Sequence, residues 1–297
     1  MLNTLAELSA LDYLCDMKLI ADSGSTKITW ILTDGHGGTQ IAESPGMNPA
    51  LLTHLEITET VSSLFPEQWR GADVEQAWIY AAGCRSERES EALVEALTMI
   101  YPQAAVIAET DMLGAARALC GDSSGIACIL GTGSNAALYS PDGGIVRSTP
   151  PLGYVLGDEG SGADIGKRII NSVLKRVWPQ QLCDRFLADT ALTPDSIIKG
   201  VYRSPEPNRF LASLTRWAAA NIAAEQVRQL VTERFIEFID RNVLTLPGAE
   251  SLPVSFTGSV AHVFADQLRT AAEISGLTIG KIEKSPTQGL IDYHSNT

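Results

Sequence analysis

Two short glycine–hydroxyl turns, set about one domain-length apart, constrain this chain more than any other feature. The first is Asp22-Ser23-Gly24-Ser25-Thr26-Lys27, entered from Lys18–Ala21 and left through Ile28–Leu32. The second is Gly131-Thr132-Gly133-Ser134-Asn135, entered from Gly125–Leu130 and left through Ala136–Tyr139. Apolar flanks around small turn residues predict two β-hairpins. A tight turn of this kind offers backbone N–H groups and hydroxyls to phosphate oxygens without a helix dipole or a P-loop lysine. Two facing copies predict a cleft that grips a nucleotide triphosphate from both sides.

At 297 residues the chain has room for two cores. Its formal net charge of -13 argues against a nucleic-acid or anionic-membrane partner, because a negative field repels polyanions. ATP is not excluded, since its binding depends on local N–H groups and a metal ion. Cys15, Cys84, Cys120, Cys128 and Cys183 form no C-x-x-C pair, which points to a reducing, cytoplasmic setting rather than a disulfide framework. His36, His54, His262 and His294 show no ligand spacing and read as surface or satisfied residues. No apolar run approaches the ~20 residues that span a bilayer. Residues 1–16 lack the basic start and cleavage site of a signal peptide and are expected to form an appended helix ahead of Met17.

Alternation predicts strands at 18–21, 28–33 and 40–43. A helix then begins at Pro49, capped by Asn48, with Leu51, Leu52, Leu55, Val61, Leu64 and Phe65 on its apolar side. A strand at 76–81 leads to Ser86-Glu87-Arg88-Glu89, a capping box that opens the next helix. Another strand covers 104–109, and Asp111 starts a short helix. Strands at 125–130, 136–140 and 145–148 then repeat the opening order. A helix from Gly162 to about Trp178 follows, with Val177 facing inward, and then a mostly helical stretch over 181–245. Strands at 253–256 and 279–283 and a closing helix at 287–294 complete the pattern. The division expected is an extension at 1–16, one domain at 17–120 and a second at 121–285, with the final helix 286–297 packing back on the first.

Several residues stand out for chemistry. Asp22 ends a strand, where a carboxylate either shapes the turn or holds a water of Mg²⁺. Gly24 and Thr26 would offer an N–H and a hydroxyl to phosphates, with Ser25 between them; Lys27 either adds charge or points to solvent. Gly131, Thr132 and Gly133 are the corresponding set in the second turn. Asp111 reads equally as a helix cap or as a general base. Asn48 and Asp158 sit where caps and first-turn acids are common. In Thr257-Gly258-Ser259, glycine allows close backbone approach to a ligand.

This ordered set, together with Leu156-Gly157-Asp158-Glu159-Gly160-Ser161-Gly162, resembles the actin, sugar-kinase and heat-shock ATPase superfamily over residues 17–297. Within it the chain is similar to the N-acetylglucosamine kinases, which share a family with the ATPase activators of benzoyl-CoA reductase and hydroxyacyl-CoA dehydratase. The resemblance implies an α/β fold of duplicated ribonuclease H-like, actin-like ATPase domains with mixed sheets and an interdomain cleft. It implies ATP and Mg²⁺ as cofactors, an amino sugar as the small-molecule substrate, and a homodimer. It makes Asp111 the base for the sugar's 6-hydroxyl and Thr257-Gly258-Ser259 the adenosine loop. Asn48, Ser134, Asn135, Gly153 and Asp158 become sugar contacts.

The chain departs from eukaryotic relatives at Ala50, Ala82 and Leu152, where they carry an aromatic residue, a serine and a tryptophan. Those losses open the question of N-acetylmuramic acid or glucosamine as substrate. Two other classes remain: an ATPase activator of a radical dehydratase, which needs cysteines for an iron–sulfur cluster, and a sugar sensor without turnover.

Overall fold

The structure is a computed structural model describing residues 17–34 and 37–295. The helix expected over 1–16, Cys15 and His36 lie outside the described residues. Two compact units divide the chain. One takes the described residues up to Gly114 together with those from Leu290 onward, and the other takes Ala115–Gly289. The division therefore falls at Gly114 rather than at residue 120, and only the part of the last helix beyond Gly289 joins the first unit. Both passages lie inside continuous helices, where composition gives no boundary signal.

In the first unit, β1 (Met17–Ser23), β2 (Lys27–Thr33) and β3 (Thr39–Pro45) form an antiparallel meander. Next come α1 (His54–Leu64), β4 (Val74–Ala81), α2 (Glu87–Ile100), β5 (Ala105–Thr110) and α3 (Asp111–Cys120). β4 and β5 add in parallel beside β1, giving the order β3-β2-β1-β4-β5. β1 and β2 read as near-continuous apolar runs because both sheet faces are covered. Leu19, Ile20, Ala21, Ile28, Trp30 and Ile31 are fully buried. Trp30 meets Phe65 edge-on at 5.1 Å, and Phe65 meets Tyr101 at 5.7 Å. The Tyr101 hydroxyl donates to the Trp69 carbonyl at 2.6 Å, so the aromatic cluster buries no unmet phenol.

The second unit repeats the path. β6 (Gly125–Leu130), β7 (Ser134–Ser140) and β8 (Gly144–Ser148) form the meander. β9 (Val254–Thr257) and β10 (Ile279–Glu283) add in parallel, giving β8-β7-β6-β9-β10. Read outward from the central strand, the two sheets have the same order and directions, so the duplication is present in topology. Between β8 and β9 lie α4 (Gly153–Leu156), α5 (Gly162–Leu174), α6 (Gln180–Thr190), α7 (Pro194–Tyr202), α8 (Pro207–Ser213), α9 (Thr215–Ala220) and α10 (Glu225–Phe238). α10 continues into a π-turn, Ile239–Val243. α11 (Ser259–Val263) and α12 (Ala265–Ile274) follow β9, and α13 (Thr287–Ser295) closes the chain. Among the described residues no helix is long and apolar enough to cross a membrane.

Two expected helices are shorter than their apolar patterns. The one drawn from Pro49 is a 3₁₀ turn, Pro49–Leu51, followed by a break and then α1. Thr53 and Glu56 form a capping box, and a residue that caps a new helix cannot continue an old one. Leu51 and Leu55 are accordingly exposed. α5 stops at Leu174, because Arg176 adopts a left-handed φ of 53° and the Val177 N–H turns back to the Ser172 carbonyl. Val177 is exposed rather than inward-facing.

The C-terminal segment completes the first unit. His294 is buried, with Nε2 2.9 Å from the Tyr80 hydroxyl and its ring stacked near Trp78 at 4.1 Å. Lys18 donates to the His294 carbonyl at 3.0 Å. Of the surface-or-satisfied reading of His294, the structure shows a buried ring with a partner at Nε2.

Two backbone contacts fix the hairpins. Gly46 follows β3 and donates to the Thr26 carbonyl at 3.0 Å. A Cβ on Gly46 would run into Gly24 O, Lys27 N and the Thr26 carbonyl carbon, so the first hairpin rests on bare backbone. In the second unit, the Gly162 and Ala163 N–H groups at the start of α5 donate to the Gly131 and Thr132 carbonyls at 2.8 and 3.1 Å.

Gly46→Ala is therefore expected to cost about 1–3 kcal/mol in a denaturant titration, as over-packing does. Gly71→Ala, where a Cβ meets nothing within 4 Å, should stay within about 0.5 kcal/mol; equal responses would remove the packing argument. A second expectation concerns Glu89, which is buried and takes hydrogen bonds from the Ser86 N–H, the Ser86 hydroxyl and Arg88. Those bonds, the Ser86 hydroxyl's first, hold its pKa down at about 2. A depressed folded-state pKa gives stability that is full above the ordinary carboxylate range and lost as pH falls toward 2. Glu89→Gln should be less stable than the parent at pH 7, and the difference should shrink on acidification toward pH 2. A constant difference across that window would contradict the assignment.

Candidate functional site

In the first unit the candidate residues gather at the C-terminal ends of β1, β4 and β5. Asp22 is near the end of β1, and Asp111 follows β5 as the first residue of α3. Both are half-buried. Burial, and then the charge of Asp111, push the Asp22 carboxyl up to about 7, while Lys27 acts the other way. Burial also raises Asp111 above the usual carboxylate range, opposed by backbone N–H bonds, Met112's first, and by the Arg85 guanidinium. Two carboxylates in one partly dry site, the charge of Asp111 adding to the burial of Asp22, form a hard oxygen donor set of the kind Mg²⁺ prefers. Among the described residues no group of three or more His, Cys, Asp or Glu is placed to hold a metal. A Mg²⁺ bound through one or two carboxylates and completed by waters and phosphates needs no such cage.

The first hairpin is tighter than its sequence implies. The Gly24 N–H donates to the Lys27 carbonyl at 2.9 Å, so that donor is turned inward. The N–H that the sequence reading expected Gly24 to offer a ligand is therefore already committed within the turn. Ser25 is half-buried at the turn and Thr26 is exposed. Lys27 pairs with Glu43 at 2.6 Å on the surface. Asn48 caps the 3₁₀ turn, with Oδ1 accepting from the Ala50 N–H at 3.2 Å. Gly83, in the loop after β4 at φ 83°, faces it so closely that a Cβ would collide with Asn48 Oδ1.

In the second unit the Gly131 N–H closes its own turn on the Gly133 carbonyl at 3.0 Å. Thr257-Gly258-Ser259 lies beside this hairpin. Gly258 has φ 121°, and a Cβ there would collide with the Leu130 carbonyl just before Gly131. Among the described residues the Thr257 hydroxyl is buried with no hydrogen-bond partner, and so is the Ser23 hydroxyl at the end of β1.

Ser134, Asn135 and Asp158 line one cavity of about 360 Å³. Asp158 holds a left-handed φ of 55°, a conformation aspartate tolerates better than most residues. Its Oδ1 accepts from the Ser134 N–H at 3.3 Å, and the Ser134 hydroxyl donates to the Glu159 carbonyl at 2.8 Å. Gly133 presses against the same carboxylate, so a Cβ there would sit 3.1 Å from Asp158 Oδ2. Asn135 Oδ1 accepts from the Ala136 N–H at 2.9 Å. Gly153, at φ 74°, opens the short helix α4, whose Leu156 lines the cavity with the flanking Leu152 and Gly157.

Sequence reasoning missed several residues that shape these sites. Gly46, Gly83 and Arg85 carry no motif that marks them. Glu159 lines the cavity and accepts from the Asn242 amide at 3.2 Å. Arg147, Arg241 and Asn242 also line it, and nothing in their local sequence marks them. Cys84, Cys128 and Cys183 are buried and Cys120 is half-buried. Burial also pushes the Cys84 and Cys120 thiols up to about 11.

No protein-family model and no curated protein matches the chain. Solved structures do. A proposed N-acetylglucosamine kinase from Porphyromonas gingivalis is 42% identical, with a TM-score of 0.89, over 95% of this chain and 99% of that one. A proposed N-acetylglucosamine kinase from Chromobacterium violaceum shares the fold at 19% identity and a TM-score of 0.69, over 94% of this chain and 99% of that one. MreB 5 of Spiroplasma citri, solved with AMPPNP, shares it at 11% identity and a TM-score of 0.53, over 94% of each chain. With two mixed sheets built on one repeated path and this extent of identity, the chain has the fold shared by actin-like ATPases and sugar kinases and belongs to the same family as the Porphyromonas gingivalis protein.

Proposed function

We propose that the chain is an ATP-dependent amino-sugar kinase that transfers the γ-phosphoryl group to the 6-hydroxyl of N-acetylglucosamine or a close relative. The observation that carries this reading is the cavity of the second unit, where Ser134, Asn135 and Asp158 converge with Glu159. Each sugar hydroxyl loses water on binding and must regain a partner, which carboxylates and amides supply. The 42%-identical relative described as a proposed N-acetylglucosamine kinase supports the same reading.

In this mechanism the cavity residues orient the sugar, and Asp111 receives the proton of its 6-hydroxyl. As the O6–phosphorus bond forms, the bond from phosphorus to the bridging oxygen breaks and ADP leaves. Burial suits Asp111 to the task, since a carboxylate of raised basicity is closer to the proton it must accept. The Arg85 guanidinium opposes that rise and favours the ionised form. Asp22 would hold Mg²⁺ through water, and that ion would neutralise charge on the phosphates. Gly24, Ser25, Thr26 and Lys27, with Gly131, Thr132 and Gly133, would surround the phosphates. Thr257, Gly258 and Ser259 would lie against the adenosine, and Asn48 and Gly153 would complete the sugar contacts.

The two rival classes have less support. An iron–sulfur activator needs thiolates at its surface, and the cysteines among the described residues are buried or half-buried. A sensor has no use for a base of raised basicity.

Asp111→Asn is expected to lower kcat by about 10²- to 10⁴-fold while leaving sugar affinity within a few-fold, read by coupled ADP release and by calorimetric titration with N-acetylglucosamine. Undiminished turnover would remove Asp111 from the role of base.

A further inference from the structure

Asp158 reaches the cavity from a loop of unusual backbone. Its own φ is 55° and that of Gly160 is 70°, two left-handed residues within three positions. Such a conformation costs free energy in aspartate and persists only where the surroundings impose it. The Ser161 N–H returns to the Asp158 carbonyl at 3.1 Å and closes the turn. α10 stands directly behind it: a Cβ on Gly160 would lie 2.9 Å from Phe238 Cβ and 3.2 Å from the Arg234 carbonyl oxygen. Glu159, at the middle of the turn, accepts from the Asn242 amide at 3.2 Å.

Behind that turn lies another carboxylate. Asp164, in the first turn of α5, is only 3% exposed. Ser161 caps the helix, its hydroxyl accepting from the Asp164 N–H at 3.2 Å. In a capping box the third helical residue would reach back to the N–H of the cap itself. The Asp164 carboxylate instead reaches one residue further, and its Oδ2 accepts from the Gly160 N–H at 3.2 Å. Its charge is answered from two helices. Lys167 Nζ and Arg168 Nε stand 3.6 and 3.7 Å from Oδ1, and Arg234 Nη1 on α10 stands 3.7 Å from Oδ2. Arg234 Nη1 is also 2.7 Å from Glu237 Oε2. Lys167 donates in turn to the Tyr154 carbonyl of α4 at 3.2 Å. A buried carboxylate is costly unless it is both paired and hydrogen-bonded. This one meets both conditions in a way that ties the turn to α4, α5 and α10 together.

We propose that Asp164 is a positioning residue for the sugar site: through the Gly160 N–H and the Arg234 guanidinium it holds the turn that carries Asp158 in its binding shape. Asp164 touches no substrate and acts through Asp158. Hydrogen bonds to an ionised group are the stronger kind, so a carboxylate here fixes the turn more firmly than a neutral acceptor. Without it the Gly160 N–H loses its acceptor, the surrounding cations lose their counter-charge, and Asp158 is released from its left-handed conformation. The sugar must then select the competent form of the turn from a mixture, and its apparent affinity falls by the fraction that remains competent. Thr257-Gly258-Ser259 and the first hairpin lie on other elements, so nucleotide affinity should respond less. This inference rests on the kinase reading above and assigns a residue to its sugar-binding step.

The test measures kcat and KM for ATP and for whichever of N-acetylglucosamine, N-acetylmuramic acid and glucosamine the parent protein phosphorylates best, with calorimetric titration of that sugar and of AMPPNP. Asp164→Ala is expected to raise KM and Kd for the sugar by about tenfold or more, the range of a lost charge-assisted hydrogen bond, with both nucleotide constants within about threefold. Asp164→Asn keeps an oxygen for the Gly160 N–H and should recover part of the loss. Made in an Asp158→Asn background, Asp164→Ala should add at most about twofold to the sugar KM, because residues acting through one another are not additive. If Asp164→Ala fails to fold, Arg234→Met, which keeps the buried stem, is expected to raise the sugar KM severalfold with the nucleotide constants again little changed. Three results overturn this inference and leave the kinase reading standing: an unchanged sugar KM, equal losses of sugar and nucleotide affinity, or full additivity with Asp158→Asn. No transfer by the parent protein to any of the three sugars sinks the kinase reading, and this inference with it.

Discussion

Bare backbone packed on backbone is the constraint from which the rest of the molecule follows. The first hairpin rests on Gly46, where a single methyl group would strike three of its main-chain atoms. The second is bound through its own carbonyls to the opening N–H groups of α5 and meets Gly258 at the end of β9. Main-chain atoms have no rotamers to relax, so both turns are set by the sheets that carry them. A phosphate site built from such turns needs little reorganisation on binding, which is where electrostatic preorganisation has most effect.

The same economy explains why the two sheets keep one path while the units differ so much in size. Everything at the strand ends near the hairpins is tightly specified. The helical stretch between β8 and β9 has its own aromatic contacts, with Phe186 meeting Trp217 edge-on at 5.0 Å and Trp178 stacked against Trp217 at 6.3 Å. It adds walls to the cavity without altering the ladder beneath it.

Much of this was legible in the residues. Strands with covered faces announce themselves as apolar runs, as Lys18–Ala21 and Gly125–Leu130 do, and Ser86 with Glu89 marks a helix start by chemistry alone. The order of elements disclosed the duplication. Less visible were features whose cause lies elsewhere in space. Nothing local distinguishes Gly46 from any turn glycine, because what it touches is some twenty residues away. The break before α1 was written in Thr53 and Glu56, but the apolar pattern across Leu51 and Leu55 masked it. The π-turn at Arg241 has no compositional signature, since it is a one-residue change in register enforced by neighbours. In the candidate site, then, residues conspicuous by their type (Asp22, Asp111, Asp158) could be picked out as candidates. Those defined by placement (Glu159, Asp164, Arg234) could not.

The anchoring of His294 against Tyr80, Trp78 and Lys18 has a bearing on biosynthesis. The amino-terminal unit is assembled from two stretches of chain, and the second leaves the ribosome only after the whole of the other unit has been made. During translation its β-sheet must wait for the His294 contacts to Tyr80 and Trp78, while the downstream unit, being one uninterrupted stretch, can close first. Order of emergence and order of completion are thus reversed, a departure from the usual amino-to-carboxyl progression of domains.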